Sequence, residues 1–394
     1  MQLLVVLVPR LLMGLLTALG DYSLYKWAGR QEGGGVAAWL LLLGQTNWFL
    51  LYSGSRTLVN TMEAALVSVA VSLQPAPAHL PVVALAAMLR PTALLFWAPL
   101  TLPRLYTELT RRGPLHLARL CLVPGLVAVA AVAADSLFYG QLTLTPYNFF
   151  KVNILHNLGS FYGSNPPYWY LSHALLPILG PLLPLVLLGL ATEAGWPLRG
   201  PVLASLATLS CLQHKEMRFL QPVLAPLLLL AARRLHSWTR APPSAPAWLL
   251  AAALQLPLAL YLAQLHQRGV VDAALWLGRG SGAGSAVYLM PCHSAPMYSH
   301  THAAISLDYL SCLPNLDKRE KYVEEVEAFY ADPETLFVEK YAHNDCVIIF
   351  DVLLETLKKS LNQTGFVETK SFFHTHFPAS ERVGQNVLVF CKLK

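Results

Sequence analysis

The chain runs to 394 residues, of which 55% are hydrophobic and only 13% charged, with a mean hydropathy of +0.46. Water-soluble domains carry about 25% charged residues, so a wholly soluble protein is excluded. Residues 1–270 carry a net charge of +10 and residues 271–394 one of −4. With no long basic run, the excess argues loop orientation in a membrane, not a nucleic-acid surface.

The N-terminal stretch MQLLVVLVPRLLMGLLTALG has no charged region ahead of its apolar run, which Pro9 and Arg10 interrupt. A cleavable signal peptide is therefore not expected. Apolar runs between charged, proline or glycine breaks give about ten candidate helical segments. They are residues 3–19, 36–52, 60–73, 80–89, 91–103, 115–134, 171–190, 201–213, 218–232 and 247–265. Those at 60–73, 80–89 and 91–103 are too short to cross a bilayer alone and read as tilted, broken or re-entrant.

The loops sort into two sets. One holds Lys26, Arg30, Arg104, Arg111, Arg112, Arg119, Arg199, Arg233, Arg234 and Arg240, and the positive-inside rule makes it cytoplasmic. The other holds Arg56, Arg90, residues 135–170, His214 to Arg218 and everything after 266, and faces the lumen or exterior. Within the second set, KVNILHNLGSFYGSNPPYWY (151–170) is polar and aromatic-rich. It reads as an interfacial loop or as a platform for sugar or lipid headgroups.

Residues 1–270 form the multi-span domain and residues 271–394 a small mixed α/β domain outside the membrane. The latter combines a helix signal over Asp317–Tyr330 with strand-like runs at Ala286–Met290, Cys346–Phe350 and Asn386–Phe390. It holds Cys292, Cys312, Cys346 and Cys391, candidates for disulfide bonding, and the sequon Asn362-Gln363-Thr364, a candidate glycosylation site. Both suit an oxidising lumen. His374-Thr375-His376 has H-x-H spacing, but without a third ligand it defines no metal site.

Ionisable groups in or beside apolar segments mark function by default. Asp21 ends the first span. In SRTLVNTMEA (55–64), Arg56, Asn60 and Glu63 would share a face if the stretch is helical. Arg90 precedes Pro91, a favoured helix start. On a helix, the cations of His214-Lys215-Glu216-Met217-Arg218-Phe219 could converge, with Glu216 orienting them. Such a cluster suits an anionic, phosphate-bearing headgroup. Its alternative is a boundary anchor with Lys215 and Arg218 snorkelling to the interface.

His214–Phe219 resembles the His-Lys-Glu-x-Arg-Phe signature of glycosyltransferase family 22, the dolichyl-phosphate-mannose-dependent α-mannosyltransferases of the GT-C type. SRTLVNTMEA (55–64), RPTALLFW (90–97), LHNLGSFYGSNPPYWY (155–170), VYLMPCHSAPMYSH (287–300) and FFHTHFP (372–378) are similar to its members that build glycosylphosphatidylinositol (GPI) anchors. The resemblance runs from about residue 5 to the C-terminus.

It implies an all-α polytopic GT-C membrane domain followed by a mixed luminal domain, in a multi-pass endoplasmic reticulum enzyme surrounded by membrane lipids. The enzyme would transfer the third mannose, α1,2-linked, from dolichyl phosphate mannose to the GPI precursor, without nucleotide or metal cofactor. His214, Lys215 and Arg218 would lie near the donor phosphate, with Arg56 and Arg90 as secondary candidates. The family's acidic Asp-Glu motif, in its first luminal loop, has no counterpart here. The expectation is of a chain that starts after that helix and loop, its catalytic carboxylate unassigned and its own activity open. Alternatives are a sibling enzyme (fourth GPI mannose or lipid-linked oligosaccharide), a non-catalytic membrane subunit, or a transporter; no internal inverted repeat of the kind found in transporters is visible.

Overall fold

The computed structural model describes residues 2–193, 195–315 and 322–392. It divides into two compact units, one formed by Pro9–Ala259 and the other chiefly by the chain from Leu260 onward.

In the first unit, α1 (Gln2–Gln31), α2 (Gly34–Thr46), α3 (Trp48–Gly54), α4 (Val59–Ser72), α5 (His79–Leu89), α6 (Ala93–Arg112) and α7 (Pro114–Tyr139) follow one another closely. A short helix α8 (Thr145–Phe150) leads through π and 3-10 turns (Lys151–Leu155, Leu158–Tyr162 and Tyr170–Leu175) to α9 (Leu176–Leu179), α10 (Leu183–Thr192), α11 (Arg199–Cys211), α12 (Gln221–Thr239) and α13 (Ala245–Gln264), whose last turn belongs to the second unit. Among the described residues four helical stretches are long and apolar enough to cross a bilayer: 4–31, 114–139, 170–192 and 245–278. The bent pair α2–α3 makes a fifth, and α4 and α5 are shorter apolar helices. The expected ten segments are therefore not reproduced as ten spans, because several runs are too short or are broken by proline and glycine.

The helices divide by what surrounds them. α12 starts QPVLAPLLLLAA, apolar on every side, and Gln221–Leu224 and Pro226–Ala232 are buried, packed by α2, α4 and α10. A helix apolar all round needs such a setting or lipid. α7 is equally apolar yet has no buried residue, and its 26 residues rise about 39 Å, more than the hydrocarbon core requires. At Gly20, α1 meets the α4 backbone so closely that a Cβ would sit 3.0 Å from the Ala65 Cα.

The 67° bend between α2 and α3 frees backbone groups that lipid could not satisfy. Asn47 resolves this locally. Its Oδ1 accepts the Phe49 and Leu50 amides at 3.1 Å, and its Nδ2 donates to the Ile178 carbonyl at 2.8 Å. The Trp48 amide donates to Gln255 Oε1 at 3.2 Å. At the opposite end of α12, Arg233 pairs with Glu193 (2.6 Å) and Glu32 (3.3 Å), and Arg234 with Glu193 (3.2 Å). These pairs tie the ends of α1, α10 and α12.

The second unit is a five-stranded sheet between helices. α14 (Gly269–Gly278) precedes β1 (Ser285–Leu289); then come α15 (Tyr298–Thr301), β2 (Ser306–Tyr309), α16 (Glu325–Ala331), α17 (Pro333–Leu336), β3 (Cys346–Phe350), α18 (Leu354–Gln363), β4 (Phe366–Phe373) and β5 (Asn386–Lys392). The strand order is β2-β1-β3-β5-β4, with β2, β1 and β3 parallel and β5 antiparallel to both β3 and β4. Side chains alternate across the sheet. Val287, Leu289, Val347, Ile349 and Phe390 pack with Phe329, Leu357 and Leu361 on one face. Tyr288, Ile348, Phe350 and Val389 pack with Val270, Ala273 and Leu277 of α14 on the other. Of the three expected strands, Cys346–Phe350 appears with the same bounds as β3, Ala286–Met290 appears one residue earlier as β1, and Asn386–Phe390 appears as the first part of β5. Part of the expected Asp317–Tyr330 helix, residues 317–321, lies outside the described residues; the helix observed there is α16.

Candidate functional site

The hexapeptide His214–Phe219 is not helical at its start. Glu216 is extended (φ −136°, ψ 149°), and a 3-10 turn at Met217–Leu220 leads into α12. Extended backbone sends successive side chains to opposite sides, so His214 and Glu216 point together and Lys215 away. Glu216 Oε1 accepts from His214 Nε2 at 3.0 Å and from Arg218 Nη2 at 2.6 Å. Burial acts to raise the Glu216 carboxyl pKa. The hydrogen bonds from Arg218 and His214 outweigh it and hold the group below the ordinary carboxylate value.

Lys215 does something else. It is 4% exposed, and its ammonium donates to the carbonyls of Asn165 (2.9 Å) and Leu212. The expected helical convergence of Lys215 with Arg218 is replaced by this internal capping, and burial lowers the Lys215 pKa.

Arg90 completes the cluster. It follows α5 in extended conformation. Its Nε pairs with Glu63 Oε2 at 3.2 Å and donates to Thr92 Oγ1 at 2.7 Å, while Nη1 donates to Asn60 Oδ1 at 3.2 Å. Asn60 and Glu63 are buried and three residues apart on α4, so one helical face presents both acceptors. The Arg90 guanidinium lies 4.8 Å from the centre of the Phe219 ring, the Arg218 guanidinium 5.9 Å and the His214 ring 5.8 Å. Phe219 is thus the common neighbour of the three nitrogen-bearing groups.

Arg56 stands apart. α4 begins at Val59, so Arg56 lies before the helix and does not share the face of Asn60 and Glu63. It donates Nε to the Tyr52 carbonyl at 3.1 Å and lies 3.9 Å over the Tyr52 ring.

The aromatic loop docks on the hexapeptide. The Asn165 amide donates to the Gln213 carbonyl at 3.0 Å, and Asn157 Nδ2 to Gln213 Oε1 at 3.0 Å. Gly159 approaches so closely that a Cβ there would lie 3.3 Å from His214 Cβ. Trp169 and His173 are stacked, centroids 6.1 Å apart. Asn165 and Gln213 escaped the sequence reading; their only signal was position within or beside motifs already singled out.

Other singled-out residues fall elsewhere. Asp21 accepts from Gln45 Nε2 at 2.9 Å and lines a cavity of about 470 Å³ with Thr17, Tyr22 and Tyr25. His374 is buried against the Phe350 ring, whereas His376 is exposed and its Nδ1 contacts the Tyr261 hydroxyl at 2.9 Å. Cys292 pairs with Cys312 and Cys346 with Cys391, the latter as directly opposed residues of β3 and β5. Asn362 is exposed near the end of α18.

A family model described as the Alg9-like mannosyltransferase family matches residues 1–302. The chain is 36% identical to the GPI alpha-1,2-mannosyltransferase 3 of Danio rerio, over 99% of this chain and 76% of that protein. It is 34% identical to the Homo sapiens protein of the same name, over 98% and 73%. The fold resembles that of ArnT from Cupriavidus metallidurans in a crystal structure bound to undecaprenyl phosphate. The TM-score is 0.61 at 13% identity, over 98% of this chain and 84% of that one. The expectation of a missing first helix finds no support in these matches. The chain belongs to the Alg9-like mannosyltransferase family.

Proposed function

We propose that this protein is a GPI α1,2-mannosyltransferase, taking mannose from dolichyl phosphate mannose and adding it as the third mannose of the GPI precursor. Its identity to relatives so named, over nearly its whole length, carries this reading. The multi-pass helical unit and the ArnT-like fold agree with a lipid-linked donor. The endoplasmic reticulum membrane is the proposed location, with the hexapeptide and the sheet unit on the luminal side.

The transfer forms a bond between an acceptor hydroxyl oxygen and the anomeric carbon of the donor mannose and breaks the bond from that carbon to the phosphate oxygen. The acceptor proton goes to a general base, for which we assign no residue. The departing phosphate gains negative charge, and fixed cations aimed at it stabilise the transition state. Arg218 and Arg90 are the proposed phosphate-binding groups, with His214 a third candidate and Glu216 orienting His214 and Arg218. Lys215, already spent on two carbonyls, holds the aromatic loop against this site. Arg56 is a peripheral candidate.

Expression in cells that accumulate the two-mannose GPI precursor tests the function. Surface GPI-anchored proteins should return with this chain and remain absent with Arg218→Ala at equal expression. Rescue only of cells arrested at the fourth mannose, or of lipid-linked oligosaccharide synthesis, would assign it to a sibling step. Full rescue by Arg218→Ala and Arg90→Ala alike would remove the phosphate role while leaving the function standing.

A further inference from the structure

α13 is apolar over 20 residues, about 30 Å of helix, which matches the hydrocarbon thickness of a bilayer. Ala259 is its only buried residue among those described, and Leu249, Leu250, Leu254, Leu258 and Leu260 are exposed. Lipid is the medium that suits such a surface. The run then turns polar at Gln264, His266, Gln267 and Arg268. α14, although apolar, buries Val270, Ala273 and Leu277 against the sheet. The helix therefore leaves the hydrocarbon near Tyr261–Arg268.

A cluster of rings sits at that level. The Tyr261 hydroxyl contacts His376 Nδ1 at 2.9 Å, and the Tyr261 ring lies 5.8 Å from that of His376 and 6.4 Å from that of Phe377. The Phe373 ring lies 4.6 Å from that of His376, tilted by 53°. The backbone beneath is fixed, since the His374 and Thr375 amides both donate to the Gln385 carbonyl and Thr375 Oγ1 contacts His266 Nδ1 at 2.8 Å. His374 and Thr375 are buried, yet Phe377 is 72% exposed and Phe373 41%. Two phenylalanines held outward by a rigid turn are costly in water and mark a contact surface.

We propose that Phe373 and Phe377 form a membrane-interface anchor, which inserts the tip of the sheet unit into the headgroup layer where α13 emerges. The partner is a phospholipid surface. Tyr261 favours headgroup depth, phenylalanine side chains bury at the headgroup–acyl boundary, and the continuity of the cluster with the end of α13 puts it there. The segment 372–378 contains no lysine or arginine, and nearby Arg268 is paired with Asp272 at 3.0 Å. Insertion therefore depends on apolar contact and not on anionic lipid.

The test uses the full chain in phosphatidylcholine nanodiscs, with the exposed free cysteines Cys121 and Cys211 replaced by serine. Nitroxide labels are placed by Phe377→Cys, Phe373→Cys and, on α18 across the sheet, Lys358→Cys. Relative accessibility to oxygen over a water-soluble nickel chelate should be several-fold higher at 377 and 373 than at 358, and unchanged when part of the lipid is phosphatidylserine. Equal chelate access at all three sites would overturn the anchor, as would exclusion of both reagents from 377, the signature of a protein-covered surface.

Discussion

The Arg90 guanidinium rests 4.8 Å from the centre of the Phe219 ring while Glu63 of α4, 3.2 Å away and 2% exposed, holds it from the other side. This contact joins the loop after α5 to the entry of α12 and fixes the basic cluster to the helical frame. A desolvated cation–π contact is worth about 2 kcal/mol, and stranding one member of a buried ion pair costs about 3–5 kcal/mol. Glu63→Ala and Arg90→Ala should each destabilise the purified protein by an amount in that range. The double variant should lose less than the sum, because no orphaned charge is left. Additive losses in a double-mutant cycle, read by unfolding in detergent, would show that the pair is not coupled.

Lys215 and Arg218 should separate by phenotype, although both are cations of one hexapeptide. Lys215→Met frees the Asn165 carbonyl and releases the aromatic loop, so hydrogen exchange over residues 156–166 should rise. Arg218→Gln touches neither Asn165 nor Gln213 and should leave that exchange unchanged while lowering mannosyl transfer from the proposed donor, dolichyl phosphate mannose. Identical exchange profiles for the two variants would dissolve the distinction.

The reason Lys215 was misplaced by sequence shows what patterning can and cannot reach. Spacing predicts convergence only when the backbone period is known, and an extended Glu216 changes that period from helical to alternating. Arg56 likewise shares the face of Asn60 and Glu63 only if residues 56–58 are helical, and α4 starts at Val59. Membrane character and the β1, β3 and β5 strands were legible because burial writes long apolar runs and short β-branched ones. The count of spans was not, since a bend such as that at Asn47 depends on partners like Ile178 and Gln255 far along the chain. β4, with its largely exposed FVETKSFF, carries no apolar run to announce it. The contact of Glu63 with Arg90 was likewise invisible, though both residues had been singled out, because loop geometry decides it.

Cysteine chemistry gives a check on compartment. Alkylation of the protein isolated without reductant should modify Cys121 and Cys211 alone, and after reduction and unfolding all six cysteines. Replacing Cys292 and Cys312 by alanine should cost the sheet unit about 2–4 kcal/mol. Modification of Cys346 and Cys391 without reductant would argue against an oxidising location for this unit.

The sequon makes a second, independent check of sidedness. Asn362 is exposed near the end of α18, and Thr364 is held there through a 2.7 Å bond from its hydroxyl to the Ser360 carbonyl. A luminal sheet unit should carry an Asn362-linked glycan, seen as a glycosidase-sensitive mobility shift lost in Asn362→Gln. Unshifted protein from microsomes of a competent cell would count against luminal exposure of this site.

The sheet unit should also weaken in mild acid. Burial lowers the pKa of His374 from 6.5 to about 4, helped by nearby His266 and opposed by Asp351. Above pH 6.5 the imidazole is neutral whether folded or unfolded, and its contribution is complete. As pH falls from 6.5 toward 4, the unfolded chain takes up a proton that the folded one resists, so stability declines; below 4 both forms are protonated and the loss levels off. The decline is at most about 3 kcal/mol. Glu327, held below its ordinary pKa by a bidentate pair with Arg382 at 2.7 and 2.9 Å, loses its stabilisation only at lower pH and from an exposed position. Protection of the β3 and β5 amides, corrected for intrinsic exchange, should therefore fall between pH 6.5 and 4.5, and His374→Gln should flatten that slope. An unaltered slope in the variant would assign the acid sensitivity to another group.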